Sequence, residues 1–185
     1  MTVSLVKEVH RRLAEVIGPG DLCLDATAGN GFDTLFLAQQ TEENGTVHAL
    51  DVQDDALRIT ERLLEQHGLK DRVTTHLTCH SKMETVLPET EKGRIRAITF
   101  NLGYLPKGDK SITTSAETTV LAVRNAYDWL AENGVLSVLC YRGHPGGKAE
   151  EEGIRKLIET CNWKSDIITG NDSGESPVLH WIENP

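Results

Sequence analysis

Asp25-Ala26-Thr27-Ala28-Gly29-Asn30-Gly31-Phe32-Asp33-Thr34 is the stretch that decides the fold. It follows a short apolar run, Leu22-Cys23-Leu24, and leads into another, Leu35-Phe36-Leu37-Ala38. The order is strand, tight glycine turn, amphipathic helix. Gly29 and Gly31 can take backbone angles closed to other residues and leave room for a ligand against the main chain. The helix that follows aims unpaired N–H groups and a partial positive charge back at that ligand. A βα turn that needs glycine only to turn is the bland reading. The next strand, Thr46 to Leu50, argues against it by ending in Asp51. An acidic side chain roughly 20 residues past the glycines suits the hydroxyls of a ribose. Together the two features mark a nucleoside-containing cofactor.

Working outward, the remaining chain repeats the alternation. Val3 to Ile17 carries a helical stripe (Leu5, Val6, Val9, Leu13, Val16, Ile17) that Gly18-Pro19-Gly20-Asp21 stops. Asp54 or Asp55 can cap a helix with Ala56, Leu57, Ile59, Leu63 and Leu64 inward, ending near Gly68. Arg72 to Cys79 reads as a third strand, and Ile95 to Phe100 as a fourth that runs into Asn101-Leu102-Gly103-Tyr104. Ser115 to Glu132 reads as a helix with Val120, Leu121, Val123, Trp129 and Leu130 toward the core. Val135 to Tyr141 is an almost wholly apolar fifth strand, suited to burial on both faces. A helix over Lys148 to Thr160 follows. Ser165–Thr169 and Val178–Glu183 are then two strands with no helix between them, which suits an antiparallel hairpin at a sheet edge. The expected architecture is α/β, a doubly wound, mostly parallel seven-stranded sheet with an antiparallel C-terminal hairpin, in one domain over 1–185.

Composition narrows the function classes. Hydrophobic residues at 38% and charged residues at 25% suit a globular chain with a sizeable core. No apolar run approaches the roughly 20 residues that span a bilayer, and no signal-peptide pattern opens the chain, so a cytoplasmic protein without membrane association is expected. Cys23, Cys79, Cys140 and Cys161 are scattered, as expected of free thiols in a reducing compartment. No His/Cys/Asp cluster has metal-ligand spacing, so no metal is expected. The net charge of −9 disfavours a general nucleic-acid binder yet leaves room for local contact with an RNA loop. A homodimer is left open.

In a doubly wound sheet, ligands collect beyond the carboxyl ends of the strands, where Asp25, Asp51, Cys79-His80, Asn101 and Tyr141 all fall. A nicotinamide dinucleotide would want G-x-G-x-x-G, but the third position is Thr34. A pyrophosphate would also be repelled by Asp25 and Asp33, each contact costing about a kcal/mol or more. Thr27-x-Gly29-x-Gly31 looks more like an S-adenosylmethionine loop, with Asp25 able to balance the ammonium of the methionine moiety. The cofactor-binding set is then Asp25, Thr27, Gly29, Asn30, Gly31, Asp33, Thr34, Asp51, Gln53, His80, Ser81 and Asn101. His80-Ser81 can lie beside the adenine; the bland alternative is a surface histidine.

The motifs also carry a resemblance. Asp25-Ala-Thr-Ala-Gly-Asn-Gly31-x-Asp33-Thr34, Asp51-Val52-Gln53, Asn101-Leu-Gly-Tyr-Leu-Pro106 and Gly108-Asp-Lys-Ser-Ile-Thr-Thr114 are similar to the MnmM (YtqB-like) methyltransferases. The similarity covers nearly the whole chain, and the fourth-strand motif is its most distinctive part. The chain departs from that family's pattern at Lys107, where glycine is usual. The resemblance implies S-adenosylmethionine-dependent methylation of the primary amine of 5-aminomethyl-2-thiouridine at the tRNA wobble position, with the anticodon loop as partner. Asn101 and Tyr104 stand where amino-methylating enzymes often carry Asn-Pro-Pro-Tyr, whose Asn and a backbone carbonyl accept from the target nitrogen.

The expected catalytic set is Asn101, Tyr104 and His144, with Asn101 orienting the amine, Tyr104 as pocket wall or base-stacking surface, and His144 as proton acceptor. Substrate contacts are expected from Tyr104, Lys107, Lys110, Tyr141, Arg142 and His144. The bland readings are a strand-end turn for Asn101 and solvated loop lysines. Three alternatives stay open: an rRNA or small-molecule N-methyltransferase of the same fold, a nicotinamide-dependent oxidoreductase, and a non-catalytic cofactor- or RNA-binding module.

Overall fold

A computed structural model describes residues 4–104, 113–171 and 174–185. Seven strands form one sheet: β1 (Leu22–Asp25), β2 (Thr46–Asp51), β3 (Val73–Leu77), β4 (Ile95–Leu102), β5 (Leu130–Cys140), β6 (Lys164–Thr169) and β7 (Val178–Glu183). Their order is β3-β2-β1-β4-β5-β7-β6. All neighbours are parallel except β7, which runs antiparallel to both β5 and β6. The expected doubly wound sheet with its terminal hairpin is therefore present. β7 lies between β5 and β6, so the hairpin's second strand is interior.

Five helices cover the faces: α1 (Leu5–Val16), α2 (Phe32–Gln40), α3 (Asp54–Gln66), α4 (Ala116–Tyr127) and α5 (Gly147–Cys161). Side chains alternate across each strand, so neighbouring residues serve opposite layers. Cys23, Val47, Ala97 and Leu139 meet Leu5, Val9 and Leu13 of α1 and Leu37 of α2. Leu24, Ile98, Phe100 and Leu136 face the other way, toward Ala122, Val123 and Ala126 of α4 and Ile154 and Ile158 of α5. This two-sided burial is why Val135 to Cys140 of β5 reads as an almost wholly apolar run. All four cysteines are free thiols; Cys23 and Cys140 are buried.

Several local expectations change. α4 stops at Tyr127 instead of Glu132, because Trp129 enters the turn and Leu130 opens β5. Ile95 N–H donates to the Trp129 carbonyl at 3.0 Å, and Ile95 pairs with Leu130 across a register shift. Both residues are buried, but in the turn and the strand. Leu121 is exposed because α4 buries Thr119, Ala122, Val123 and Ala126, the opposite stripe. Ile59 is likewise exposed on α3. Neither Asp54 nor Asp55 caps that helix: Gln53 holds the cap position, and the two aspartates fill the first turn, where their charge complements the helix dipole. β3 is two residues shorter at its carboxyl end than expected, ending at Leu77.

Candidate active site

The order of the strands reverses between β1 and β4, and a cavity of about 620 Å³ opens above their carboxyl ends. The turn after β1 is locked from three directions. Ala26 N–H donates to the Thr99 carbonyl of β4 at 2.9 Å, and Ala28 N–H to the Leu50 carbonyl of β2 at 2.8 Å. Gly29 N–H donates to Asp51 Oδ2 at 2.9 Å. Gly31 takes φ 81° as the residue ahead of α2, and a Cβ there would sit 2.8 Å from Thr60 Cα of α3. Only glycine permits both the angle and that approach.

Of the residues expected to bind cofactor, Thr27, Gly29, Asn30, Asp33, Asp51, Gln53, His80 and Asn101 line the cavity. Asp51 Oδ1 also accepts from Gln53 N–H at 2.9 Å, so this carboxylate ties the two cofactor turns together. His80 is buried against Phe100 with its Nε2 unpartnered among the described residues. Burial lowers its pKa to about 4, so it faces the cavity as a neutral ring.

Asp25, Gly31, Thr34 and Ser81 lie off the cavity wall. Asp25 was expected to face an ammonium, but it is fully buried beneath the turn. Its Oδ2 accepts from the Thr34 hydroxyl at 2.6 Å and its Oδ1 from Thr27 N–H at 3.1 Å. Burial, and then the nearby Asp33 charge, push its pKa up to about 7. Asp25 and Thr34 therefore clamp the turn from below. Ser81 turns its hydroxyl to Cys79 Sγ at 3.1 Å, while Cys79 lines the cavity in its place.

At the other end of the cavity stand Asn101, Tyr104, Tyr141 and His144. Asn101 N–H donates to the Thr27 hydroxyl at 2.8 Å, and its Nδ2 donates to Asp33 Oδ2. The Gly103 carbonyl accepts from Thr114 N–H at 3.0 Å and from the Thr113 hydroxyl at 3.1 Å. Both lone pairs of the Gly103 carbonyl are thus in use, and the Leu102 carbonyl accepts from Tyr141 N–H at 3.3 Å. Tyr104 bridges to Thr113 and meets the His144 ring edge-on, centroids 6.1 Å apart. His144 Nδ1 lies 3.0 Å from the Pro145 carbonyl oxygen, a hydrogen bond that requires the proton on Nδ1. Its Nε2 has no hydrogen-bond partner among the described residues; in the neutral tautomer this nitrogen carries the lone pair. Burial, and after it the Asp33 charge, raises the Tyr141 pKa and keeps the phenol protonated.

Arg142 is not on the cavity wall; its Nε donates to the Ser176 carbonyl at 2.7 Å and fastens the loop before β7. Lys107 and Lys110 lie outside the described residues. Val6, Phe32, Thr78, Thr118 and Glu175 are among the wall residues that escaped the sequence reading. Phe32 could have been suspected, as the one large apolar residue inside a polar, glycine-rich turn; it is 67% exposed. The others come from distant segments and leave no local signal.

Sheet order, helix placement and a cavity over the β1/β4 crossing define a class I, Rossmann-like methyltransferase architecture. Residues 47–175 match the family described as "Putative rRNA methylase", and the chain belongs to that family. It is 43% identical over 148 residues to the chloroplastic tRNA (mnm(5)s(2)U34)-methyltransferase of Arabidopsis thaliana, with 76% of this chain and 53% of that protein aligned. The chain thus spans about half the length of that relative. Two crystal structures superpose over the full length of both chains. One is an rRNA methylase homologue from Clostridium thermocellum, 33% identical with a TM-score of 0.91. The other is a methyltransferase homologue from Streptococcus mutans in complex with SAH, 29% identical with a TM-score of 0.87.

Proposed function

We propose that this protein is an S-adenosylmethionine-dependent tRNA methyltransferase, its single domain over 1–185 acting on the wobble uridine. In this reading it converts 5-aminomethyl-2-thiouridine to 5-methylaminomethyl-2-thiouridine. The observation that carries the reading is one cavity that joins a nucleoside-binding turn to Asn101, Tyr104 and His144. The class and the substrate draw support from the Arabidopsis relative's name, and the cofactor from the SAH held by the Streptococcus neighbour.

The residues present fit that cofactor. Asp51 keeps acceptor capacity for ribose hydroxyls beyond its two backbone donors, since an ionised carboxylate offers about four lone-pair sites. The neutral, unpartnered Nε2 of His80 suits a heterocycle edge. Gly29, at φ 53°, keeps side-chain bulk out of the turn. When bound, the cofactor supplies a methyl group activated by a sulfonium.

The chain's own residues then prepare the nucleophile. An alkyl amine is mostly protonated near neutral pH, where a lysine-like group has its pKa near 10.4. It must reach the site with a free lone pair. Asn101 Oδ1, a neutral acceptor, binds an N–H of the amine without favouring the ammonium as a carboxylate would. In the neutral ring with its proton on Nδ1, bonded to the Pro145 carbonyl, His144 Nε2 takes the proton that leaves nitrogen. Tyr104 and Tyr141 wall the pocket with flat surfaces on which an RNA base can stack. Holding the reacting atoms in line supplies most of the acceleration.

The test is nucleoside mass spectrometry of tRNA that carries the unmethylated aminomethyl group, after incubation with protein and S-adenosylmethionine. Gain of one methyl on that nucleoside alone is expected. Methylation of another nucleoside, or none despite tight cofactor binding, overturns the substrate assignment.

A further inference from the structure

The Asn101 amide has two chemically different ends, and its neighbours decide which end meets a substrate. Nδ2 points at Asp33, whose carboxylate accepts hydrogen bonds and donates none. The opposite oxygen of Asp33, Oδ1, lies 2.5 Å from Nε2 of His10 on α1. The His10 ring is stacked on Phe36, with centroids 4.0 Å apart and planes 3° from parallel. Phe36 stands three residues after Asp33 on α2. One helix thus supplies both the surface that fixes the imidazole plane and the carboxylate at which its nitrogen aims.

We infer that His10 and Asp33 are positioning residues that hold the Asn101 amide with its NH2 end on the protein and its Oδ1 toward the target nitrogen. The inference rests on the reading that Asn101 orients a neutral amine. A carboxylate anchored at one oxygen only can swing about its side-chain torsions. Held at both, Asp33 presents Oδ2 to Asn101 at a fixed angle, and an amide flip would set oxygen against oxygen. Asp33 is only 11% exposed in its side chain, so water competes weakly for these bonds. Acceptor sites remain on the carboxylate, so a contact to cofactor is compatible with this role. His10 reaches the chemistry only through Asp33 and Asn101.

The test separates hydrogen bonding from stacking. His10→Phe keeps a flat ring on Phe36 and removes the donor; His10→Gln keeps a donor nitrogen at similar reach. With tRNA substrate, His10→Phe should lower kcat by about 10-fold, comparable to losing the hydrogen-bond partner that orients a metal-ligating side chain. The KM for S-adenosylmethionine should change by less than about twofold, and His10→Gln should recover most of the rate. Equal kcat in His10→Phe and the parent overturns the inference, as does a loss confined to the cofactor KM. A second readout needs no turnover. In ¹⁵N-labelled protein with SAH, the Asn101 side-chain NH2 pair, assigned through Asn101→Asp, should exchange slowly with solvent and lose that protection in His10→Phe. Unchanged protection overturns the inference. If the parent transfers no methyl to the tRNA amine, the substrate reading fails and the NH2 signal still decides the positioning role. Should His10→Phe not fold, Asp33→Ala, which removes the acceptor, must release the same signal.

Discussion

At the residue scale, Asn101 separates cofactor binding from chemistry. Asn101→Ala should keep much of its cofactor affinity while methyl transfer falls by orders of magnitude, since one preorganised polar contact can be worth about 2.7–4 kcal/mol of barrier. Asn101→Asp should shift the pH–rate profile upward, because a carboxylate stabilises the ammonium that cannot attack. Single-turnover rates against pH measure both; parent-like rates throughout would make Asn101 a turn residue. Asp51→Ala should weaken S-adenosylmethionine binding roughly 10- to 100-fold, the equivalent of about 1.5–3 kcal/mol. It should also lower the thermal midpoint, because Gly29 and Gln53 lose the acceptor of their N–H groups. An unchanged dissociation constant by calorimetry would take Asp51 out of the site.

Asp25 gives a pH signature. Its folded pKa is raised from 3.8 to about 7, so between those values the folded state holds a proton that the unfolded state has lost. Stability therefore falls as pH rises through this window, and the full penalty is present above it. The melting temperature of the ligand-free protein, relative to Asp25→Asn, should decline from pH 5 to pH 8 and level off; a flat difference would mean that Asp25 stays ionised. Nothing in the sequence marked Asp25 as buried, because an acid opening a glycine turn reads alike whether it faces a ligand or braces the loop. The wall positions of Asp51, His80 and Asn101, by contrast, followed from strand ends alone.

Among the elements, the α4–β5 junction was the least legible. Helical spacing continues through Trp129 and Leu130, and tertiary pairing with Ile95 overrides it. Gly134 then becomes necessary where β5 bulges, since a Cβ there would meet the Ala131 carbonyl oxygen at 2.8 Å. The α4–α5 pair carries a buried acid that no pattern announced. Glu150 accepts from the Thr119 hydroxyl at 2.5 Å and the Thr114 hydroxyl at 2.9 Å, so α5 reaches across to a residue of the cavity wall. Glu150→Ala should destabilise the fold by about 1–3 kcal/mol, the cost of leaving buried polar partners unsatisfied. Turnover should fall with it as the strip beside Gly103 loosens. Urea melts and kcat measured together check this; a stable variant with reduced kcat would assign Glu150 to the site alone.

For the whole molecule, the layered sheet was legible because strands covered on both faces read as largely apolar runs, as Val135 to Cys140 of β5 does with Ser137 its one polar residue. Native-state hydrogen exchange should accordingly be slowest in β4 and β5 and fastest in β3 and β6, whose side chains are only partly covered. Equal protection across all strands would contradict this gradient. The position of β7 was less legible, since a hairpin at an edge can be laid down in either order. Its interior place has a consequence for synthesis on the ribosome. Strands β1 to β5 can pair as they emerge, but the free edge of β5 from Val135 to Cys140 stays open until Val178–Glu183 has left the exit tunnel. β6 emerges first and has no correct neighbour on that edge; pairing there would occupy the berth of β7. The growing chain therefore passes through an interval in which its most apolar strand is unguarded, and a premature stop codon before Val178 would make that interval permanent.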